Sequence, residues 1–441
     1  MSSPLLLLLL FVSTFFAQDF DYSIKNLPLD LTTDANAVLR KHDITIKVNA
    51  IDEMEITVSR IITVLNKMGD RNVDAAVGYD NNSKINQIEA TIYDILGNKI
   101  NKYKKSDFLD VSAVDGVSLY TDNRVLYLNY TPTNYPYTVH FQYQYKTSST
   151  GFIPNFKPVE SFYLGIQEYN YQVITALGDL RVKEKNFENQ SVEKEVTTKK
   201  IRYGLKNFKP IEREALSEDL QQFTPIALVA LNEFKTDGVT GFYNNWKEFG
   251  SWMHNSLIKD RNQLDDKTKT EILDLVKNVS DPIEKAKIVY NYMQNKTRYI
   301  SVQVGIGGIQ PIAANEVDKL GYGDCKGLTN YTKALLDVVG VTSYYTHVEA
   351  DSYDQISFET DFSSLEQGNH VILNIPNNGN DIWLECTSQT SPFGYIGGFT
   401  DDRKVLVITP EGGILKQTTA YKNEQNVQDL KAEIQLLPMV I

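Results

Sequence analysis

Apolar and polar side chains alternate over much of residues 19 to about 210, the period of strands with one buried face. His42-Asp-Ile-Thr-Ile-Lys-Val-Asn49 alternates strictly. Met54 to Leu65, Ile85 to Ile100, Val125 to Tyr130, Tyr137 to Tyr145, Tyr171 to Leu177 and Val192 to Tyr203 read as further strands, and Leu96-Gly97-Asn98 as a hairpin turn. Strands this numerous and this evenly patterned predict a two-sheet sandwich over 18–210.

From residue 246 the period changes to that of helices. Trp246, Phe249, Trp252 and Met253 form a core stripe on a helix to Leu257, and Asp266 to Val276 is amphipathic. Asp281-Pro-Ile-Glu284 is a capping box with proline at the first helical position. Its helix runs through Met293, with Ile283, Ala286, Val289, Tyr290 and Met293 on one stripe. A further helix from Cys325 to about Val339 points Leu328, Tyr331, Leu335 and Val339 inward and stops before Gly340. Strands at Val341 to Val348, His370 to Ile375, Asp381 to Cys386 and Lys404 to Ile408 supply a sheet for it. The prediction is a multidomain chain: a β-sandwich, a connecting stretch over 211–245 interrupted at Phe223-Thr-Pro225, an α+β core over 246–410, and the start of another β domain over 411–441.

Composition narrows the function classes. Of 441 residues only two are cysteine, and the formal net charge is −12, which argues against nucleic acid and anionic membrane as partners. There is no Cys-x-x-Cys and no closely spaced histidine pair, so no metal or other cofactor is indicated. Leu5 to Leu10, Phe11 and Val12 make an apolar run too short for a membrane span, followed by a small-residue exit at Ala17. This predicts a signal peptide over 1–17 and an exported protein with no other membrane-crossing stretch. The destination is the periplasm or envelope in a Gram-negative source and the exterior otherwise.

The chemistry concentrates in Gly321-Tyr-Gly-Asp-Cys-Lys326. Asp324 is a good N-cap, which puts Cys325 at the positive end of a helix with Lys326 beside it; both effects favour the nucleophilic thiolate. A thiolate works with a histidine, and the histidine with an orienting carboxylate. If the turn Pro376-Asn-Asn-Gly-Asn380 centres between Asn377 and Asn378, His370 lies directly opposite Glu385. Directly opposed residues have Cβ atoms about 4.5–5.5 Å apart, close enough for the carboxylate to hold one ring nitrogen. His370, Ile372, Trp383 and Glu385 then share one face, with Trp383 as a packing wall beside the ring. Val371, Leu373, Ile382, Leu384 and Cys386 share the other, which makes Cys386 a core residue. A Cys325–Cys386 disulfide is the competing reading and would consume the nucleophile.

This order of cysteine, histidine and acid resembles the transglutaminase-like superfamily of papain-type thiol enzymes. The likeness is carried by Gly-Asp-Cys-Lys-Gly-Leu (323–328), by Asn369-His370-Val371 and by Trp383-Leu384-Glu385-Cys386-Thr387, and spans roughly residues 265–400. Glu385 departs from the aspartate usual in that family. The preceding strands resemble, in layout, the uncharacterised β domain found before such a core in Bacteroidetes-type envelope proteins, where a further β domain follows the core. The resemblance implies acyl transfer on a protein or peptide substrate through Cys325, His370 and Glu385, hydrolytic rather than cross-linking. The alternative is a silent module of the same fold that binds a protein or glycan. Oxyanion donors would be the Cys325 amide, Gln303 or Tyr299. Gly305-Ile-Gly-Gly308 reads as a rim of the cleft and 352–368 as one of its walls.

Overall fold

The computed structural model describes residues 20–113, 118–188, 190–353, 356–425 and 427–435. The leader expected over 1–17 lies outside them.

The first part is built on one eight-stranded sheet. Its strands run in the order Val192–Val196, Lys200–Phe208, Leu164–Thr175, Ala37–Ala50, Glu53–Val64, Tyr137–Thr147, Ser83–Tyr93 and Lys99–Lys104. Alternation decides which side is inward: Met54, Ile56 and Val58 are buried at every second place. A second layer covers that face. It comprises a three-stranded sheet (Ala76–Tyr79, Arg124–Tyr127, Leu109–Ser112) and a pair formed by Leu180–Lys185 with Ile226–Leu231. Val77, Phe108, Leu126, Val229 and Leu231 from this layer join Leu39, Ile56, Val139 and Tyr171 in one apolar core. One pairing, Ala37–Ala50 with Leu164–Thr175, is parallel. The chain leaves the sheet at Thr147 and returns at Leu164 by a long crossover, the connection a parallel pair requires.

The stretch 211–245, expected as a connection, carries three strands. Ile226-Ala-Leu-Val-Ala-Leu231 is a continuous apolar run, the mark of a strand covered on both faces, and it pairs back onto the β-rich part. A hairpin, Glu233–Thr236 with Val239–Phe242, then leads into the core.

The core packs helices Trp246–Met253, Asp266–Leu275, Pro282–Lys296, Ala314–Leu320 and Cys325–Val338 against a five-stranded sheet. That sheet runs Ile382–Leu384, His370–Ile375, Tyr344–Val348, Lys404–Thr409, Gly412–Gln417. Cys325–Val338 is the central helix. Leu328, Tyr331, Leu335 and Leu336 pack with Leu373 and Leu384 from the sheet, with Cys386 just beyond its strand, and with Val289 and Met293 from a flanking helix. The expected start of another domain at 411 is corrected: Gly412–Gln417 forms a hairpin with Lys404–Thr409 and is the edge strand of the core sheet. Gly412 makes the turn at φ 128°, and Gly250 lets the helix backbone approach, since a Cβ there would lie 2.1 Å from the Gly413 nitrogen. No helix among the described residues is long and apolar enough to cross a membrane.

Candidate active site

The cleft sits where the central helix begins. Asp324 caps that helix, its carboxylate accepting from the Gly327 amide at 2.8 Å, and Cys325 is the first helical residue. Cys325 is 7% exposed, so its surroundings are mostly protein. His370 opens its strand and lines the same cleft of about 410 Å³. Met253, Leu257, Ile309, Leu365 and Val371 give this cleft an apolar wall, and Phe152 reaches it from the β-rich part. A strand pairing reinforces that junction: Ser301–Gln303 adds in parallel to Ser118–Thr121.

The hairpin register differs from the one expected. Leu373 faces Leu384 and Asn374 faces Trp383, a displacement of two residues. A shift of two preserves the face of every side chain, whereas a shift of one would reverse it. His370 therefore reaches Glu385 diagonally, Nε2 to Oε2 at 2.9 Å. The other carboxylate oxygen accepts from the Thr387 amide at 2.9 Å and from its hydroxyl at 2.5 Å. Tyr290 donates to the Glu385 carbonyl at 2.7 Å, fixing the backbone beneath.

Electrostatics follow from these bonds. Burial opposes a charge on His370, but hydrogen bonding to Cys325 and to Glu385 outweighs it, and the ring's pKa rises to about 10. Burial pushes the Glu385 carboxyl up, yet bonds from His370 and Thr387 hold it below the ordinary value. With Nε2 engaged by Glu385, Nδ1 is the nitrogen left for the thiol. Cys386 lies at the core position alternation assigned to it. Burial, against hydrogen bonds to Thr332 and Thr329, pushes its thiol up to about 12. Both cysteines are free, so the competing disulfide is not formed.

The remaining candidates separate. Lys326 is ion-paired with Asp324 and donates to Gln303 Oε1 at 3.0 Å, so its charge is largely spent on the capping acid and not on the thiol. Gln303 donates both amide hydrogens, to Asp324 Oδ2 at 3.0 Å and to the Ser301 hydroxyl at 3.2 Å. As arranged, it has none for an oxyanion. Tyr299 lines the cleft and remains a candidate. Trp383 does not line it: it is buried with Val348, Ile372, Val405 and Val407. The Gly305–Gly308 rim contributes Gly308 to the cleft, and the segment before His370 contributes Leu365, Gly368 and Asn369.

Sequence reasoning missed His347. It stands on the neighbouring strand opposite Val371, lines the cleft, and has a buried Nδ1 without a hydrogen-bond partner. Burial, with the charges of Lys326 and His370, pulls its pKa down to about 4, so it is neutral. The available signal was alternation on Tyr344-Tyr-Thr-His-Val348 next to a strand already assigned a catalytic end. Among the described residues no group of three or more His, Cys, Asp or Glu could hold a metal ion.

A β-sheet part followed by an α+β core, with thiol, imidazole and carboxylate converging at a helix start, defines a protein of the papain-like class. Residues 52–212 match the model of the DUF3857 family, described as a domain of unknown function with a solved structure. The crystal structure of a "putative protease" from Parabacteroides distasonis ATCC 8503 is similar over 88% of this chain and 72% of its own, at 16% identity and TM-score 0.64. The family match lies in the β-rich part, and the structural likeness shows a shared fold over most of the chain. A "putative cysteine protease" from Cytophaga hutchinsonii aligns over 76% of both chains at 9% identity. Its TM-score is 0.22. No curated protein matches the sequence.

Proposed function

We propose that this chain is a cysteine hydrolase of amide or peptide bonds, with Cys325 as nucleophile, His370 as acid and base, and Glu385 orienting the ring. The observation that carries the reading is the state of one imidazole. Its Nε2 lies 2.9 Å from a buried carboxylate oxygen, it lines one cleft with Cys325, and both partners raise its affinity for a proton. An imidazolium beside the sulfur stabilises negative charge on it, as does the helix N-terminus. The thiolate attacks the substrate carbonyl carbon, and the Cys325 amide is the natural donor to the resulting oxyanion. His370 gives its Nδ1 proton to the leaving nitrogen, the C–N bond breaks, and a thioester remains. Water then attacks the thioester while His370 takes its proton, releasing acid and thiolate.

Hydrolysis is preferred over transamidation because the Parabacteroides structure of the same fold is described as a "putative protease". The apolar run at residues 5–12 supports an exported protein, and the return of Ile226–Leu231 to the β part moves that domain's proposed end from 210 to about 231. The test is a peptide library incubated with wild type and Cys325→Ala. Cleavage by wild type alone is expected. A wild type without turnover, whose thiol alkylates like an ordinary cysteine, would leave the fold as a module that binds a protein or glycan.

A further inference from the structure

Strand Leu180–Lys185 lies in the β-rich part, far in sequence from the cleft. Its residues Arg181, Lys183 and Lys185 meet the segment that leads into His370. Lys185 pairs with Glu359 and Lys183 with Asp361, both at 2.7 Å. Arg181 donates to the Ser363 hydroxyl at 3.3 Å. The matches run in strict reverse order, two residues up the strand for two residues down the segment, like an antiparallel ladder made by side chains. The Arg181 guanidinium also lies over the rings of Phe362 and Tyr243, 5.3 Å from each.

The segment is otherwise knitted to itself and to the core. Gln367 accepts from the Glu359 amide and donates to the Phe362 carbonyl, both at 2.7 Å. Trp246 donates to the Glu359 carbonyl at 2.6 Å and stacks on Phe358. Any displacement of 359–363 is therefore passed to Leu365, Gly368, Asn369 and His370, which line the cleft.

We propose that Arg181, Lys183 and Lys185 are positioning residues that set the register of segment 359–363 and so the placement of His370 against Cys325. The DUF3857 domain is thereby a working part of the site. Exposed ion pairs are individually weak, so the row acts as a register device and not as a source of global stability. The inference rests on the enzymatic reading of the cleft.

Two measurements on the full chain test it: hydrogen exchange of 356–369 and the rate at which iodoacetamide alkylates Cys325 at pH 6. In Lys183→Asp with Lys185→Glu, exchange across the segment is expected to rise about fivefold or more as it opens locally. Alkylation is expected to fall about tenfold as the imidazole loses its place, while the melting temperature stays near that of wild type. Adding Asp361→Lys and Glu359→Lys should restore both readouts, and Lys183→Arg with Lys185→Arg should change neither. Increased exchange with unchanged alkylation, unchanged exchange, or a swap that restores nothing overturns the proposal. Neither readout requires turnover. A wild type that cleaves no amide would therefore sink the hydrolase reading and still leave the positioning row decided by these measurements.

Discussion

His370 and Glu385 bond at 2.9 Å although the backbone ladder sets them two residues out of direct opposition. The diagonal reach suits glutamate, whose extra methylene spans the offset, and Thr387 takes the oxygen that His370 leaves. Glu385→Gln keeps size and shape but removes the charge that holds the ring protonated. We expect turnover to fall by about 10²–10⁴-fold, the scale found when a triad carboxylate becomes an amide or when acid–base catalysis is lost. Steady-state kinetics with any cleaved peptide checks this, and an unchanged kcat would assign the orienting role elsewhere.

Cys325 and Cys386 give opposite expectations toward an alkylating reagent. Cys386 is fully buried and its thiol is pushed up to about 12, so it should stay inert in the native protein. Cys325→Ala should abolish labelling at neutral pH and leave the circular dichroism spectrum unchanged. Mass spectrometry of the labelled peptides locates the adduct, and label on Cys386 in native protein would contradict the assignment.

Stability should depend on pH through His370. Its folded pKa, about 10, lies above the unfolded value near 6.5, so the folded state binds the proton more tightly. The contribution is therefore complete below about pH 6.5 and is lost as pH rises toward 10. Urea unfolding between pH 6 and 10 should show stability falling in wild type, with a shallower fall in His370→Gln. Equal slopes would mean the ring gains no proton affinity on folding.

Much of this site was legible because its determinants are local. Asp324, Cys325 and Gly340 mark a helix by capping rules alone, and the helix runs Cys325–Val338. The hairpin reading survived a wrong turn centre because an even displacement keeps His370 and Glu385 on one face. What stayed hidden depends on distant partners. The parallel neighbour of Ala37–Ala50 is set by a crossover, and Gly412–Gln417 looked like a new domain because nothing in its own residues announces Lys404–Thr409 as its partner. The same holds for Lys326 and Gln303. Their types suggested help for the thiol or the oxyanion, and only tertiary packing spends them on Asp324. Ile226–Leu231 was a different kind of miss, since its unbroken apolar run already had the pattern of a buried strand.

Gly368 gives the sharpest prediction for the wall of the cleft. Its φ of 105° is a conformation L-residues rarely adopt, and it lies two residues before His370. A Cβ added there would lie 2.9 Å from His347 Nδ1 and 2.9 Å from the Phe358 ring, which itself stacks on Trp246. Neither neighbour is free to retreat: His347 is packed on the central strand of the sheet, and Phe358 is buried. Backbone strain and the clash act together, so Gly368→Ala should destabilise by about 1–3 kcal/mol. The damage should also be directional. The Gly368 amide donates to Glu349 at 2.8 Å and the Asn369 side chain to the same carboxylate at 2.9 Å. Strain relieved by moving this corner is expected to displace His370, two residues further on. Denaturant titration should report the lost stability, and Cys325 alkylation at pH 6 should slow in protein that is still fully folded. A folded Gly368→Ala variant that alkylates at the wild-type rate would show that this corner does not govern the ring.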